Sequence, residues 1–495
     1  MGFLDNLALG FSVAISPYNI LFCAIGTFLG SLLGALPGVG AIMGVALLVP
    51  LTFGMDATTA IIMLAGIYYG GQYGGAVSAI LLNIPGDAPA IMTTLDGHPM
   101  AKKGRAGEAL ATAALSSFFA GTISVLALSV LTKPMVALAL LFGPVEYFAL
   151  ILVSLISLSG ILGQSLFKGL LMVLLGVMFS TFGLDPISGT ERLTFGSINM
   201  SNGFSFIAAA LGLFVIPELV KNLSTQQSNG VFRAPINRIL PPWVELIKCK
   251  FTALRGAVLG FIVGALPGAG TTLASILSYS IEKKISKHPE QFGQGSIQGV
   301  CASETANNAG SSGAFVPLLA LGIPGSPVTA ILMGAFMMFG LRPGPLLVQS
   351  NPDLIWGLIC SMYIGNFFLL LLNLPLIKLW VKIIQIPYFI LVGIILLTST
   401  SACYASNGNV FDLYVMFGFG ILGWVVSSLG YSVAPILLGL ILGPLLEDNF
   451  RSALILSNGD YSIFLTRPIS LTLIIYAAIT LIIPPILAVW KNRSK

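Results

Sequence analysis

The chain reads as an all-α polytopic membrane protein built from inverted-topology repeats, with re-entrant helical hairpins and broken helices. Three observations predict this class. Hydrophobic residues make up 56% of the 495 positions and charged residues only 8%, with a mean hydropathy of +0.96. Soluble domains carry about 25% charged residues, so the composition belongs to a bilayer. The phrase Gly34-Ala-Leu-Pro-Gly-Val-Gly40 returns 230 positions later as Gly264-Ala-Leu-Pro-Gly-Ala-Gly270, each time inside an apolar run. Lys and Arg gather in a few loops, and those loops fall at different places relative to the repeated phrases in the two halves.

Helical spans come first. The apolar stretches Phe148–Ile161, Leu354–Leu374 and Leu471–Trp490 approach the roughly 20 residues that cross hydrocarbon. The 56 Gly and 28 Pro suit closely packed, interrupted membrane helices better than simple rods. The net charge of +5 reads as the positive-inside bias and not as an anionic partner. No basic cluster is interleaved with stacking aromatics, which argues against nucleic acid as a partner; membrane lipid is the expected surrounding. Cys23, Cys249, Cys301, Cys360 and Cys403 have neither disulfide nor metal-ligand spacing and read as small membrane-helix residues. The N-terminus lacks a basic n-region, so no cleavable signal peptide is expected.

Charge then sets orientation. Basic residues cluster at Lys102, Lys103 and Arg105, at Lys168, across the polar segment Lys221–Arg255, at Lys283, Lys284 and Lys287, at Lys378 and Lys382, and at Lys491, Arg493 and Lys495. These clusters are assigned to the cytoplasm. The connections around Asp56, Asp185–Arg192, Asp353, Asp412 and Glu447–Arg467 are poorer in Lys and richer in carboxylates. In the first half the basic cluster follows the Ile-Pro-Gly phrase; in the second it lies between Leu-Pro-Gly and Ile-Pro-Gly. Related segments with basic loops on opposite sides must have opposite polarity, the mark of an inverted repeat.

The hairpins follow from length. Arg255 to Leu266 and Gly270 to Ile281 are arms that reach only about 18 Å as helices, against about 30 Å of hydrocarbon. Their outer ends carry cytoplasmic-type charge, so the segment should dip in and return at Pro267-Gly268. Its counterpart, Asn19–Phe53, should enter from the opposite face. The predicted division is residues 1–240 for the first repeat, with a hairpin and broken-helix core at 19–95 and scaffold helices at 108–220. Residues 241–495 form the second, with a core at 251–340 and scaffold helices at 353–490. Movement of the cores past the scaffold, an elevator-like architecture, is expected from hairpins plus repeats.

The breaks carry the chemistry. A second phrase recurs, Asn83-Ile-Pro-Gly-Asp87 and Gly322-Ile-Pro-Gly-Ser326, 239 positions apart. Pro removes a donor and blocks an upstream carbonyl, while Gly opens otherwise forbidden backbone angles. The freed N–H groups at a half-helix N-terminus suit carboxylate oxygens, and freed carbonyls suit a small cation. The candidate substrate-binding residues are therefore Gly38, Pro85, Gly86, Gly268, Pro324 and Gly325 by backbone or close approach. Asn83, Thr271, Thr272, Asn307, Ser311, Ser312 and Ser326 would offer side chains, and Asp87 would order the first Ile-Pro-Gly tip. The stretch Ser303–Gly313 is too polar to face lipid and should line a cavity.

Plainer readings stand beside these. The glycines Gly26, Gly30 and Gly34, with Gly256, Gly260 and Gly264, read as helix-packing ridges. Asp87 and Glu304 are the acidic residues nearest the breaks, where buried charge hints at function; equally, Asp87 can cap a helix and Glu304 can face cytoplasmic water. His98 and His288 sit in charged loops and read as solvated. No metal site is identifiable, and no organic cofactor is expected. There is no His-Glu-x-x-His and no phosphate loop, and Gly310-Ser-Ser-Gly313 has no His placed to activate a serine. The alternative class is a membrane-embedded lipid-modifying enzyme with Glu304 or Asp87 as base.

The chain resembles the large membrane (permease) subunit of bacterial tripartite tricarboxylate transporters. Gly34–Gly40, Pro50-Leu-Thr-Phe-Gly54, Gly66-Ile-Tyr-Tyr-Gly-Gly71, Tyr73-Gly-Gly75, Leu82-Asn-Ile-Pro-Gly86 and Leu95–Gly107 carry the resemblance. Gly264–Gly270, Glu304-Thr-Ala-Asn-Asn-Ala309 and Leu321-Gly-Ile-Pro-Gly-Ser326 extend it through the second half. The resemblance implies uptake of organic di- and tricarboxylates across the inner membrane, coupled to a cation, Na⁺. It also implies two partners, a small membrane subunit of about four helices and a periplasmic solute-binding protein. Family members often carry an acidic residue after the first Ile-Pro-Gly, a pattern Asp87 keeps.

Overall fold

The computed structural model describes residues 2–36, 38–162, 165–185, 187–225, 238–267, 270–383 and 388–493. Pro37, Gly268 and part of the polar segment Lys221–Arg255 lie outside the described residues. The chain is an all-α polytopic membrane protein. Its first half runs α1 (Phe3–Ala14), α2 (Pro17–Ala35), α3 (Gly40–Leu48), α4 (Ala57–Leu82), α5 (Ile91–Lys102) and α6 (Ala106–Ala139). It continues through α7 (Pro144–Leu162), α8 (Leu166–Ser180) and α9 (Phe206–Thr225). The second half opens with α10 (Trp243–Lys248), α11 (Lys250–Ala265), α12 (Gly270–Ile285), α13 (Ile297–Gly313) and α14 (Pro327–Met338). Then come α15 (Pro345–Ser350), α16 (Pro352–Asn373), α17 (Ile377–Ile383) and α18 (Tyr388–Asn407). The last are α19 (Val410–Ser428), α20 (Ala434–Leu456), α21 (Ile463–Thr466) and α22 (Pro468–Arg493). Five described helices are long and apolar enough to cross a membrane: α2, α6, α16, α18 from Phe389, and α19.

Two compact units emerge, each drawing on both halves of the chain. The first comprises Met1–Val136 and Glu218–Ser406, the second Ala137–Pro217 and Asn407–Lys495. In the first unit α6 and α16 belong with the hairpin segments, and α16 packs on α1, α2 and α4.

Local chemistry fixes the helix starts of this unit. Asp56 accepts from the N–H groups of Thr58 and Thr59 at 3.0 and 3.3 Å, opening α4. Ser296 accepts from Gly299 N–H at 3.4 Å to open α13. Such side-chain caps satisfy donors that a helix leaves free. Both α4 and α13 are buried on every face, α4 from Thr59 to Leu81 and α13 from Gly299 to Gly313. Helices of that kind need small residues where others cross them.

The glycine ridges meet that need. A Cβ on Gly30 or Gly34 would collide with the carbonyl oxygen of Ile67 or Gly71 on α4. A Cβ on Gly260 or Gly264 would collide in the same way with Ala306 or Gly310 on α13. The spacing of 230 residues relates the glycines and 239 their partners, so the contact set is the same twice over. Conversely, Gly74 meets Ser31 O and Ala35 N, and Gly313 meets Phe261 O and Ala265 N.

The α11–α12 pair forms a hairpin closed at its outer ends. Arg255 Nη2 lies 2.8 Å from Glu282 Oε1 and 2.9 Å from Oε2, and Thr252 Oγ1 donates to Oε1 at 2.7 Å. Each arm has 16 residues, about 24 Å of helix, less than the hydrocarbon thickness. The first-half counterpart is unequal: α2 has 19 residues, whereas α3 has 9 followed by the 3₁₀ turn Val49–Thr52.

The first basic cluster ties distant segments of this unit together. Lys103 Nζ donates to Gln294 O at 2.6 Å, and Arg105 pairs with Glu108 and Glu245 at 2.6 and 2.5 Å. Nearby, Asp96 Oδ1 accepts from the N–H groups of Gly293, Gly295 and Ser296 at 2.7–2.9 Å, and Oδ2 from Tyr279 OH at 2.8 Å. His98 corrects the sequence expectation. It is buried within α5, with Nδ1 3.1 Å from Ile80 O, because α5 packs on α4 there. His288 is exposed, as expected. Lys168, expected in a loop, instead opens α8.

The second unit is pinned by charge. Asp185, Arg192, Glu447 and Arg451 form one network; Arg192 reaches Glu447 at 2.8 Å and Arg451 reaches Asp185 at 2.9 Å. Burial would raise the Asp185 pKa. The Ile187 N–H, the Arg451 guanidinium and the Ser188 N–H outweigh it and hold the carboxyl well below its ordinary value of 3.8.

Candidate functional site

The four breaks come in matched pairs. At the ends of α2 and α11, Leu36 (φ −78°, ψ 123°) and Leu266 (φ −79°, ψ 121°) leave the helix with the same extended geometry. Gly40 and Gly270 then restart it at φ 60° and 62°, angles that favour glycine. After α4, Asn83 adopts φ 59°; Gly322 does the same at φ 69°. Asn is one of the few side-chain-bearing residues that tolerates this region. Gly86 is wedged against Gly34 O, Gly75 Cα and Ser78 Oγ, and Gly325 against Ala314.

Reciprocity ties the pairs together. The 3₁₀ turn Ala88–Ala90, which leads into α5, packs against α12 and α13. In turn α14, which follows the second Ile-Pro-Gly, packs against α3 and α4. Each half thus inserts its short helix into the other half's broken pair.

Chemistry at the two matched caps differs. Ser326 caps α14, with its hydroxyl accepting from Thr329 N–H at 3.2 Å while its own N–H donates to Thr329 Oγ1 at 2.8 Å. Asp87 holds the equivalent extended position but makes no side-chain cap, and its Oδ1 is buried without a hydrogen-bond partner. Tyr68 lies beside both Asp87 and Ser326.

Unpartnered polar atoms concentrate in this unit. They are Ser31 Oγ, the Tyr68 and Tyr69 hydroxyls, Gln72 Oε1, Asp87 Oδ1, Glu304 Oε2 and both ends of the Asn307 amide. Buried polar groups are normally paired, and each orphan costs about 1–3 kcal/mol. Clustering on α2, α4, α13 and the first Ile-Pro-Gly turn points to a polar occupant. Tyr68, Tyr69 and Phe315 form an aromatic trio with centroids 5.7, 5.8 and 6.0 Å apart.

Glu304 is fully buried, not facing water, because α5 covers it: Thr93 Oγ1 donates to its Oε1. Asn308 Nδ2 donates to Ser117 Oγ at 2.6 Å and to Glu304 O at 3.1 Å. Tyr73 OH lies 3.1 Å from Asn366 Oδ1. Tyr69, Tyr73, Asn308, Ser312 and Asn366 line a small cavity.

Of the residues singled out by sequence, Asn307, Ser311 and Ser312 are buried on α13, Ser326 and Thr271 are buried, and Thr272 is half-buried. Ser311 donates to Asn308 O at 2.7 Å within its own helix. Pro324, Gly325 and Gly86 are buried, Pro85, Asp87 and Gly38 half-buried, and Asn83 is exposed. Gly38 adopts φ 79°; Gly268 lies outside the described residues. Sequence reasoning missed Tyr68, Thr93, Ser117 and Asn366. The signal for Ser117 and Asn366 was present, since each is a polar residue inside a long apolar helix. Among the described residues, no group of three or more His, Cys, Asp or Glu could hold a metal ion.

Comparison with known proteins adds the following. The family described as "Tripartite tricarboxylate transporter TctA family" matches residues 20–438. A protein of Agrobacterium vitis named "Uncharacterized 52.8 kDa protein in TAR-I ttuC' 3'region" is 44% identical over 498 residues, covering 100% of this chain and 99% of the relative. A second from the same organism, "Uncharacterized protein in TAR-II ttuC' 3'region", is 47% identical over 236 residues, covering 48% of this chain and 98% of the relative. No solved structure matches the chain.

Proposed function

Because the chain belongs to the tripartite tricarboxylate transporter TctA family, we propose that it carries organic di- and tricarboxylates across the bacterial inner membrane, driven by entry of a cation, Na⁺. The observation that carries this reading is the set of buried, unpartnered polar side chains gathered at the Pro-Gly breaks of the first unit. An apolar membrane domain has no structural use for so many unmet groups.

The chemistry fits an organic anion. Tyr68 and Tyr69 hydroxyls and the Asn307 amide can donate to carboxylate oxygens, and half-helix N-termini favour negative charge. No Lys or Arg pairs with Asp87 or Glu304 among the described residues. On this reading the anion is held by neutral donors, and a cation that travels with it supplies the counter-charge. The matched break geometries and the reciprocal packing of the two halves support an inverted repeat, and with it alternating exposure of one site by elevator-like movement. Membership of a tripartite family supports a small membrane subunit of about four helices and a periplasmic solute-binding protein as partners.

The test is uptake of labelled di- and tricarboxylates into vesicles holding the full chain with its partners, with and without a Na⁺ gradient. Saturable, gradient-driven uptake supports the reading. Chemical conversion of a lipid or of the carboxylate without translocation would replace it with the enzyme alternative.

A further inference from the structure

Glu304 presents an electrostatic problem that its surroundings do not solve. It is fully buried on α13, and its Oε1 accepts from Thr93 Oγ1, but Oε2 has no partner. A buried ionised carboxylate normally needs a cationic partner. No described Lys, Arg or His pairs with Glu304, and the nearby Asp87 that feels its charge is a second carboxylate.

A small gap lies beside it. Glu304 lines a cavity of about 10 Å³ with Tyr73, Ala114, Ser117 and Asn373, about the room one water-sized occupant needs. Asn307, one turn along the same helix, and Ser117 stand close to the carboxylate. Both ends of the Asn307 amide are buried and without a normal hydrogen bond. Water could satisfy the hydrogen bonding, but it would leave the charge unbalanced.

We propose that Glu304, Asn307 and Ser117 form the seat of a single dehydrated monovalent cation of Na⁺ size, held by Glu304 Oε2, Asn307 Oδ1 and Ser117 Oγ. One carboxylate and neutral oxygens match one positive charge, whereas a divalent ion draws on more carboxylates. Thr93 is a positioning residue: by holding Oε1 it leaves Oε2 free for the ion. The inference rests on the transport reading only for what the ion does after binding.

Binding of ²²Na⁺ and thermal stabilisation by NaCl against choline chloride test this on the full purified chain at fixed pH, with no carboxylate present. Wild type should bind ²²Na⁺ saturably, with displacement by unlabelled NaCl and not by choline. Glu304→Gln should weaken binding at least about tenfold, since it removes the one charge facing the ion. Its melting temperature in choline should be unchanged or raised, which shows that the fold persists. Asn307→Ala should weaken binding less, and Thr93→Val should do so without removing a ligand. Absence of saturable Na⁺ binding by wild type, stabilisation that tracks protons alone, or wild-type affinity in Glu304→Gln would each overturn the proposal. Intact Na⁺ binding without carboxylate uptake in vesicles would sink the transport reading and leave this one standing.

Discussion

Gly264→Ala tests the packing logic of the broken pairs most sharply. The added Cβ would sit well inside contact distance of Gly310 O, Cα and C, all backbone atoms of a buried helix. Unlike a flexible side chain, that backbone cannot move aside unless α11 and α13 separate. Overpacking of this kind costs about 1–3 kcal/mol, which lowers a melting temperature by about 2–6 °C for a domain of a few hundred residues. Gly34→Ala meets the same obstacle at Gly71 and should cost a similar amount. The control is Gly418→Ala on α19, where a Cβ meets nothing within 4 Å. There the substitution should be neutral or gain up to about 1 kcal/mol from helix propensity. Thermal unfolding of the full chain in detergent reads all three. Equal melting temperatures for Gly264→Ala and Gly418→Ala would refute the ridge reading.

Three further outcomes follow from the same geometry. Removing Arg255 leaves the buried Glu282 carboxylate without its bidentate partner, so an Arg255→Ala, Glu282→Ala double-mutant cycle should show coupling of about 1 kcal/mol, held down by the partial exposure of Arg255; a zero coupling would leave the hairpin ends untied. Asp96→Asn removes the charge that gathers three N–H groups and the Tyr279 hydroxyl, so hydrogen exchange should quicken across residues 286–296, and unchanged protection there would contradict the clamp. Since the folded-state pKa of Asp185 is depressed from 3.8, its contribution is present above about pH 4 and is lost as pH falls through the depressed value. Protection of residues 183–204 should accordingly decline in acid for wild type and show less of that decline in Asp185→Asn.

Legibility from sequence divided along the line between local and distant causes. The positions of the breaks were readable because a repeated Pro-Gly interruption is a short-range fact. The residues that turn left-handed beside them, Gly40, Gly270, Asn83 and Gly322, were not singled out for that role, and Gly86 and Gly325 are not among the positive-φ residues. The glycine ridges were readable for a related reason, since a four-residue rhythm fixes one helix face whatever covers it. Glu304 was not settled, because its burial depends on Thr93, 211 positions away. His98 looked solvated beside Lys102 and Lys103, yet α5 lays it against Ile80 O. Ser311 looked available, but a helical serine readily donates back to its own helix, and this one donates to Asn308 O.

A thiol at Ser326 offers the most direct probe of substrate at the breaks. In Ser326→Cys, with the five native cysteines (Cys23, Cys249, Cys301, Cys360 and Cys403) replaced by Ser or Ala, labelling by a small thiol reagent reports occupancy next to Tyr68. Binding at this position predicts that di- and tricarboxylates slow labelling saturably, while neutral analogues of the same size do not. A labelling rate unchanged by any carboxylate, or slowed equally by the neutral analogues, would contradict it.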